Sequence, residues 1–105
     1  MIEHVVLFKL EPEVDEKRVE RILREMRIHL MKIPAVCSLR CGARLDPATV
    51  WSIFLLVELE SREKLHAYKT DSAYARFEEA FLTPHVTDRL EMDFQSDPGG
   101  DPLYR

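Results

Sequence analysis

Apolar and polar residues alternate over residues 2–10, a pattern typical of a β-strand. The alternation places five side chains on one face of this strand: Ile2, His4, Val6, Phe8 and Leu10. The opposite face carries Val5 and Leu7, so the middle of the strand is hydrophobic on both sides. Pro12 follows in an acidic run and predicts the end of the strand.

A long amphipathic helix is predicted after this strand. Asp15 is a suitable N-cap because its side-chain oxygen can accept a hydrogen bond from a free backbone N–H of the first turn. Beyond it, six apolar residues recur at helical spacing: Val19, Ile22, Leu23, Met26, Leu30 and Ile33. The dipeptide Ile33-Pro34 predicts the end of the helix, because a residue that precedes proline disfavours the helical conformation.

Three more strands and two short helices are predicted in the rest of the chain. Alternation predicts the strands over residues 36–43, 51–59 and 86–94. Ser61, and then Asp71 or Ser72, are positioned to cap two helices between the third and fourth strands. The order strand, helix, strand, strand, helix pair, strand predicts an α+β, ferredoxin-like fold. In that fold the helices cover one face of a four-stranded antiparallel sheet.

One domain accounts for these elements. The chain has 105 residues, the size of a single compact domain, which we place over residues 1–95. The last segment, residues 96–105, is rich in Pro and Gly and is predicted to hold no regular structure.

The predicted sheet leaves an apolar face uncovered. Helices can cover only one face, whereas the first and third strands carry apolar residues on both. The residues on the uncovered side are either Val5, Leu7, Phe54 and Leu56 or the apolar residues on the opposite face of the same strands. A soluble monomer rarely exposes a contiguous apolar patch of several hundred Å². The simplest closed arrangement is a two-fold homodimer whose sheets pack face to face.

Composition narrows the range of partners. The net charge is -4 and no basic run occurs, so neither nucleic acid nor an anionic membrane surface is an expected partner. The first residues show no targeting pattern and no apolar run is long enough to span a bilayer, so the expected location is the cytoplasm. The sequence shows no metal-ligand spacing, glycine-rich phosphate loop or C-x-x-C motif, so we predict no metal and no cofactor.

Four short segments of the sequence carry a resemblance to a known family. They are residues 1–10 (MIEHVVLFKL), 32–36 (KIPAV), 65–68 (LHAY) and the pair Asp93-Phe94. In this order they resemble the stress-responsive α/β-barrel domain (Dabb) family over nearly the whole chain. The resemblance implies ferredoxin-like protomers joined into a dimeric α+β barrel. The family includes plant stress proteins, and also polyketide cyclases that close an aromatic ring by aldol condensation without a cofactor.

Three polar residues are candidate catalytic residues. Cyclases of the family use a tyrosine and a histidine six residues later, positions that here hold Tyr68 and Tyr74. A tyrosine, with a reference pKa of about 10, is a poor general base at neutral pH. Tyr74 is therefore expected to donate a hydrogen bond to a carbonyl or enolate, and His4 is the candidate base. The alternatives are a buried histidine tied to a carbonyl or carboxylate, and tyrosines that fill the core.

Six apolar residues would line a pocket between helices and sheet and are candidate ligand contacts: Val6, Phe8, Ile22, Met26, Ile53 and Leu55. Core packing is the alternative for all six. The predicted function is a homodimer that binds a small aromatic or polyketide-like molecule. A cofactor-free cyclase, a cofactor-free monooxygenase of the dimeric barrel type and a purely structural protein are the alternatives. The sequence thus leaves open whether the protein is an enzyme.

Overall fold

The computed structural model describes residues 1–97, which form one sheet with helices packed on one side. The strands are β1 (Ile2–Leu10), β2 (Ser38–Ala43), β3 (Ile53–Leu59) and β4 (Val86–Gln95). The helices are α1 (Glu16–Leu30), α2 (Arg62–Lys69) and α3 (Ser72–Phe77), and α3 continues into a π-helical turn (Glu78–Leu82).

All strand pairs of the sheet are antiparallel, and the strand order is β2-β3-β1-β4. The first strand of the chain therefore lies beside the last. The predicted α+β, ferredoxin-like fold is confirmed, because the helices pack on one face of this four-stranded sheet. In its register, His4 of β1 lies opposite Val57 of β3 and Asp93 of β4.

Observed and predicted boundaries differ by a few residues. α1 ends at Leu30, and Ile33 packs into the core from the turn that follows. The predicted end at Ile33 is therefore wrong, because the apolar spacing of this residue reflects burial and not helical conformation. β2 begins at Ser38 and β3 at Ile53, each two residues later than predicted.

Most of the predicted tail, residues 98–105, lies outside the described residues. Immediately before it, the backbone N–H of Ser96 donates to the carbonyl oxygen of Met1 at 2.9 Å. This bond joins the end of the described chain to the start of β1. β4 itself continues to Gln95, one residue beyond the prediction.

Side-chain caps begin all three helices. Oxygens of Asp15, Ser61 and Asp71 accept hydrogen bonds from backbone N–H groups in the first turns of α1, α2 and α3. The predicted caps are confirmed, with Asp71 as the cap of α3. α1 then buries three side chains at four-residue intervals: Ile22, Met26 and Leu30. Within residues 1–97, no helix is both long enough and apolar enough to cross a membrane.

The segment after α3 is wound more loosely than an α-helix. The N–H of Thr83 donates to the carbonyl oxygen of Glu78 at 2.8 Å, a bond between residues five apart. Phe77 and Leu82 are both buried. In an α-helix, two residues five apart would point about 140° away from each other. The wider turn lets both side chains face the core, and it begins at Glu78, which reaches towards β4.

The outer face of the sheet, which points away from the helices, carries an apolar patch. The patch consists of Val5, Leu7, Phe54, Leu56, Leu90, Met92 and Phe94, and charged residues such as Glu3, Arg40 and Glu58 lie on the same face. Leu7 pairs with Phe54 on one side and with Leu90 on the other, so the apolar surface is continuous across three strands. The ring of Phe54 lies over Gly42, where a Cβ atom would come within 2.9 Å of the ring. Over residues 89–94 the two faces of β4 differ: its outer side chains are apolar and its inner ones are charged.

Candidate functional site

His4 lies on the inner face of β1 and is only 1% exposed. Its Nδ1 is 2.6 Å from Oδ1 of Asp93, the residue opposite it on β4. Nζ of Lys69, in the last turn of α2, donates to the other carboxylate oxygen at 3.4 Å. Burial acts to raise the pKa of Asp93, but the hydrogen bonds and charges of His4 and Lys69 together lower it below its usual value. The carboxylate of Asp93 therefore accepts a proton held on Nδ1.

Tyr68, near the end of α2, is fully buried beside His4. The centroids of the two rings are 5.8 Å apart in an edge-to-face arrangement. The Oη of Tyr68 has no contact with solvent and no hydrogen-bond partner among residues 1–97. Burial raises the pKa of Tyr68 well above its usual range, and neighbouring acidic groups add to the shift. The hydroxyl is therefore protonated at neutral pH, and its hydrogen-bonding capacity is unused within the described chain.

Tyr74 of α3 packs edge-on against Tyr68, with ring centroids 5.2 Å apart, but its hydroxyl has partners. It donates to Oε2 of Glu78 at 3.1 Å. Nη1 of Arg89 donates to the same carboxylate oxygen at 2.7 Å and to Oη of Tyr74 at 3.4 Å. Burial and the charge of Glu78 raise the pKa of Tyr74 to about 12, although Arg89 acts in the opposite direction. Tyr74 is therefore protonated at neutral pH, and its proton is directed at Glu78.

The three predicted polar site residues meet in one place, although they come from β1, α2 and α3. We call the group between β4 and the α2–α3 segment the polar cluster: His4, Asp93, Tyr68, Tyr74, Glu78 and Arg89. It contains an imidazole held by a carboxylate, a free phenol and a phenol held by an ion pair. This arrangement can bind an oxygen-bearing ligand and can accept a proton from it.

Three members of the polar cluster, Asp93, Glu78 and Arg89, were not among the predicted site residues. The alternation along residues 86–94 places Arg89 and Asp93 on one face of the last strand, which is a signal in the sequence for both. Pairing the first and last strands could have found Asp93, because one explanation of His4 is a bond to a nearby carbonyl or carboxylate. The four-residue spacing of Tyr74 and Glu78 was the other available signal.

The six predicted ligand contacts are all buried, and they pack together in the hydrophobic core: Val6, Phe8, Ile22, Met26, Ile53 and Leu55. Phe8 contacts the polar cluster, since the guanidinium carbon of Arg89 lies 5.3 Å from the centre of its ring. The structure therefore places these side chains next to the polar groups but in closely packed surroundings.

A separate cleft of about 650 Å³ opens near the other end of β1. It lies between the start of α1 and the loop over residues 44–52, and Leu10, Val19 and Leu45 contribute to its walls. No residue of the polar cluster borders it. The cleft is therefore a competing location for a ligand, and an experiment must distinguish it from the polar cluster.

Within residues 1–97, no three His, Cys, Asp or Glu side chains are arranged to hold a metal ion. Cys37 and Cys41 are free thiols. Burial raises the pKa of the Cys41 thiol, and the nearby Arg27 only partly opposes the shift.

Comparison with known proteins gives a family match over almost the whole chain. The model of the stress responsive A/B barrel domain, Dabb, matches residues 2–96. The resemblance inferred from four short segments is thereby confirmed. No curated protein matches the chain by sequence.

Solved structures share the fold at low sequence identity. A Dabb family protein with a ferredoxin-like fold from Mesorhizobium loti is 20% identical, with a TM-score of 0.79 over 90% of this chain and 95% of that one. A dimeric ferredoxin-like protein of unknown function from Thermobifida fusca is 22% identical, with a TM-score of 0.78 over 89% and 88%. A hydroxynitrile lyase from Passiflora edulis is 12% identical, with a TM-score of 0.78 over 95% and 96%. At these identities the similarity establishes the fold alone.

Removing the Tyr68 hydroxyl should stabilise the protein. A buried hydroxyl without a partner costs roughly 1–3 kcal/mol, so Tyr68→Phe is expected to raise the free energy of unfolding by about 1 kcal/mol. Tyr74→Phe is the matched control, because it removes a hydroxyl that is hydrogen-bonded, and we expect it to lower that free energy by about 1 kcal/mol. Urea denaturation at one protein concentration measures both. A loss of stability in Tyr68→Phe would mean that its hydroxyl has a partner.

Proposed function

Since this chain belongs to the stress-responsive A/B barrel domain family, we propose that it forms a homodimer that binds a small aromatic or polyketide-like molecule at the polar cluster. The buried, unpartnered hydroxyl of Tyr68, next to the His4–Asp93 pair, carries the proposal. The dimer and the ligand site rest on different observations.

The outer face supports the dimer. Three large apolar side chains are exposed there: Phe94 at 54%, Leu90 at 41% and Phe54 at 39%. Each Å² of apolar area removed from water stabilises the dimer by roughly 25 cal/mol. Part of this free energy is needed to offset the cost of association. Two copies related by a two-fold axis can cover each other's outer faces. The similar protein from Thermobifida fusca is described as dimeric.

A charge at the centre of the outer face should separate the two copies. Leu7 lies between Phe54 and Leu90, and Leu7→Glu would require an unpaired carboxylate to be buried in the dimer. Light scattering after size exclusion should give twice the 12.3 kDa of one chain for the wild type and 12.3 kDa for the variant. Ile28→Glu, on the exposed side of α1, is the control and should stay dimeric. A monomeric wild type at micromolar concentration would refute the dimer.

The ligand proposal follows from hydrogen-bond requirements. Buried polar groups are nearly always paired, and Tyr68 Oη has no partner in the described residues. A ligand oxygen at this position would accept its proton. The rings of Tyr68, Tyr74 and Phe8 provide aromatic surfaces nearby. These features favour an aromatic ligand that carries a carbonyl oxygen.

Access to this position requires movement. Tyr68 Oη is sealed from solvent, and Tyr68 itself lies on α2, which Thr70 and Asp71 join to the short helix α3. Short helices with few interior hydrogen bonds are among the less stable parts of a fold. We therefore propose that a ligand enters when the α2–α3 segment shifts away from the sheet.

The ligand site can be tested with para-hydroxyacetophenone, an aromatic ketone with one phenol. Tyr68→Phe should weaken its binding about tenfold in isothermal titration calorimetry, because one hydrogen bond is lost. Leu45→Asp is the control for the cleft, since Leu45 is fully exposed and lines only that cavity. It should leave binding unchanged. If Leu45→Asp abolished binding and Tyr68→Phe did not, the cleft would be the ligand site.

A second candidate function is supported by the His4–Asp93 pair. Because Nδ1 donates to an ionised carboxylate, Nε2 of a neutral His4 holds a lone pair and can act as a general base. A cofactor-free, aldol-type cyclase needs such a base to remove a proton from the carbon next to a carbonyl. As the electron pair moves to the carbonyl oxygen, the hydroxyl of Tyr68 can stabilise the enolate by a hydrogen bond.

Proton exchange on the same probe tests this candidate directly. In D₂O the enzyme would replace the methyl protons of para-hydroxyacetophenone with deuterium, seen as loss of the methyl signal by NMR. His4→Gln should slow the exchange by roughly 10²-fold or more, because the base is gone. Exchange no faster than in buffer alone would reject the enzyme and leave the binding protein.

A further inference from the structure

The two tyrosines of the polar cluster differ in what their hydroxyls can still offer. A phenol has one proton to donate and two lone pairs to accept with. Tyr68 uses none of these within residues 1–97. Tyr74 gives its proton to Glu78 and uses one lone pair for Arg89. One lone pair of Tyr74 Oη therefore remains available to a ligand.

The direction of the Tyr74 proton is set by an ion pair. Arg89 donates to the same Glu78 oxygen at 2.7 Å and also faces Glu91, whose carboxylate is 3.9 Å away. The guanidinium lies over the ring of Phe8, which is fully buried and fixes the position of the arginine. A carboxylate that is paired in this way is a strong hydrogen-bond acceptor and has no proton to give. Tyr74 must therefore be the donor in its bond to Glu78.

We infer that the Glu78–Arg89 pair fixes Tyr74 as a hydrogen-bond acceptor, so that the site selects aromatic ligands with a free hydroxyl group. The inference rests on the proposed ligand site and specifies its ligand class. The ligand hydroxyl donates to Tyr74 Oη, while a carbonyl oxygen accepts from Tyr68. Glu78 and Arg89 are positioning residues, because they act through Tyr74 and do not touch the ligand.

A matched pair of probes separates this preference from general affinity. para-Hydroxyacetophenone and para-methoxyacetophenone share the ring and the carbonyl, but only the first can donate a proton to Tyr74. Calorimetry on the wild type should show about tenfold tighter binding of the hydroxy compound, since one hydrogen bond distinguishes the two. Tyr74→Phe should bind both compounds equally.

Glu78→Gln tests the positioning role. Its amide can donate to Tyr74 Oη, which occupies the lone pair and removes the tenfold preference. A general loosening of the site would weaken the binding of both probes together and leave the ratio of their dissociation constants unchanged. That ratio is therefore the decisive measurement. Glu79→Gln changes an exposed carboxylate on the same turn and should keep the wild-type ratio.

The outcomes distinguish the inference from the proposed function. Equal binding of the two probes by the wild type, with both weakened by Tyr68→Phe, would overturn the inference and leave the ligand site intact. If Glu78→Gln kept the wild-type ratio of the two dissociation constants, the role of the ion pair would be overturned. Binding of neither probe would count against the proposed function itself.

Discussion

The inverted pattern of β4 is the constraint on which the rest of this structure depends. Its side chains alternate between charged residues that face the helices and apolar residues that face away: Arg89, Glu91 and Asp93 against Leu90, Met92 and Phe94. Because the alternation has a period of two, neither set can change face without the other. One strand therefore places partly exposed charged side chains beside His4 and the α2–α3 segment, and apolar side chains on the outer face of the sheet. The charged side supplies groups of the polar cluster, and the apolar side contributes to the surface of the proposed dimer.

The polar cluster combines partly exposed ion pairs with two buried side chains. Asp93 pairs with His4, and Arg89 pairs with Glu78, while solvent still reaches Asp93, Arg89 and Glu78. His4 and Tyr68 are buried, and a buried polar group is costly unless it is hydrogen-bonded. Tyr68 is the exception, since its hydroxyl lacks a partner in the described residues. A network that served only to hold the fold together would leave no such group, which is why we interpret the polar cluster as a binding site.

The fold alone does not decide the chemistry. Similar structures include a protein of unknown function and a hydroxynitrile lyase, and a shared fold commonly hosts unrelated activities. What differs between such proteins is the set of donors and acceptors at the site. Here His4, the candidate base, and the phenols of Tyr68 and Tyr74 differ in which hydrogen bonds they already make and which they can still make. Discrimination between ligands would depend on those capacities more than on the apolar core beneath them.

Local patterns in the sequence determined the four strands, the amphipathic helix, the caps at Asp15 and Ser61, and the apolar residues on both faces of β1, whereas the structure decided between Asp71 and Ser72 as the cap of α3. These features depend on residues close in sequence, where periodicity and capping chemistry act directly. His4 and Tyr68 could be singled out in advance, but their surroundings could not. Only the tertiary structure placed Asp93 beside His4, 89 residues away, and Glu78 beside Arg89. The pairing of the first and last strands brings Asp93 to His4, and this pairing joins segments that are far apart in the sequence, so no short stretch of chain encodes it.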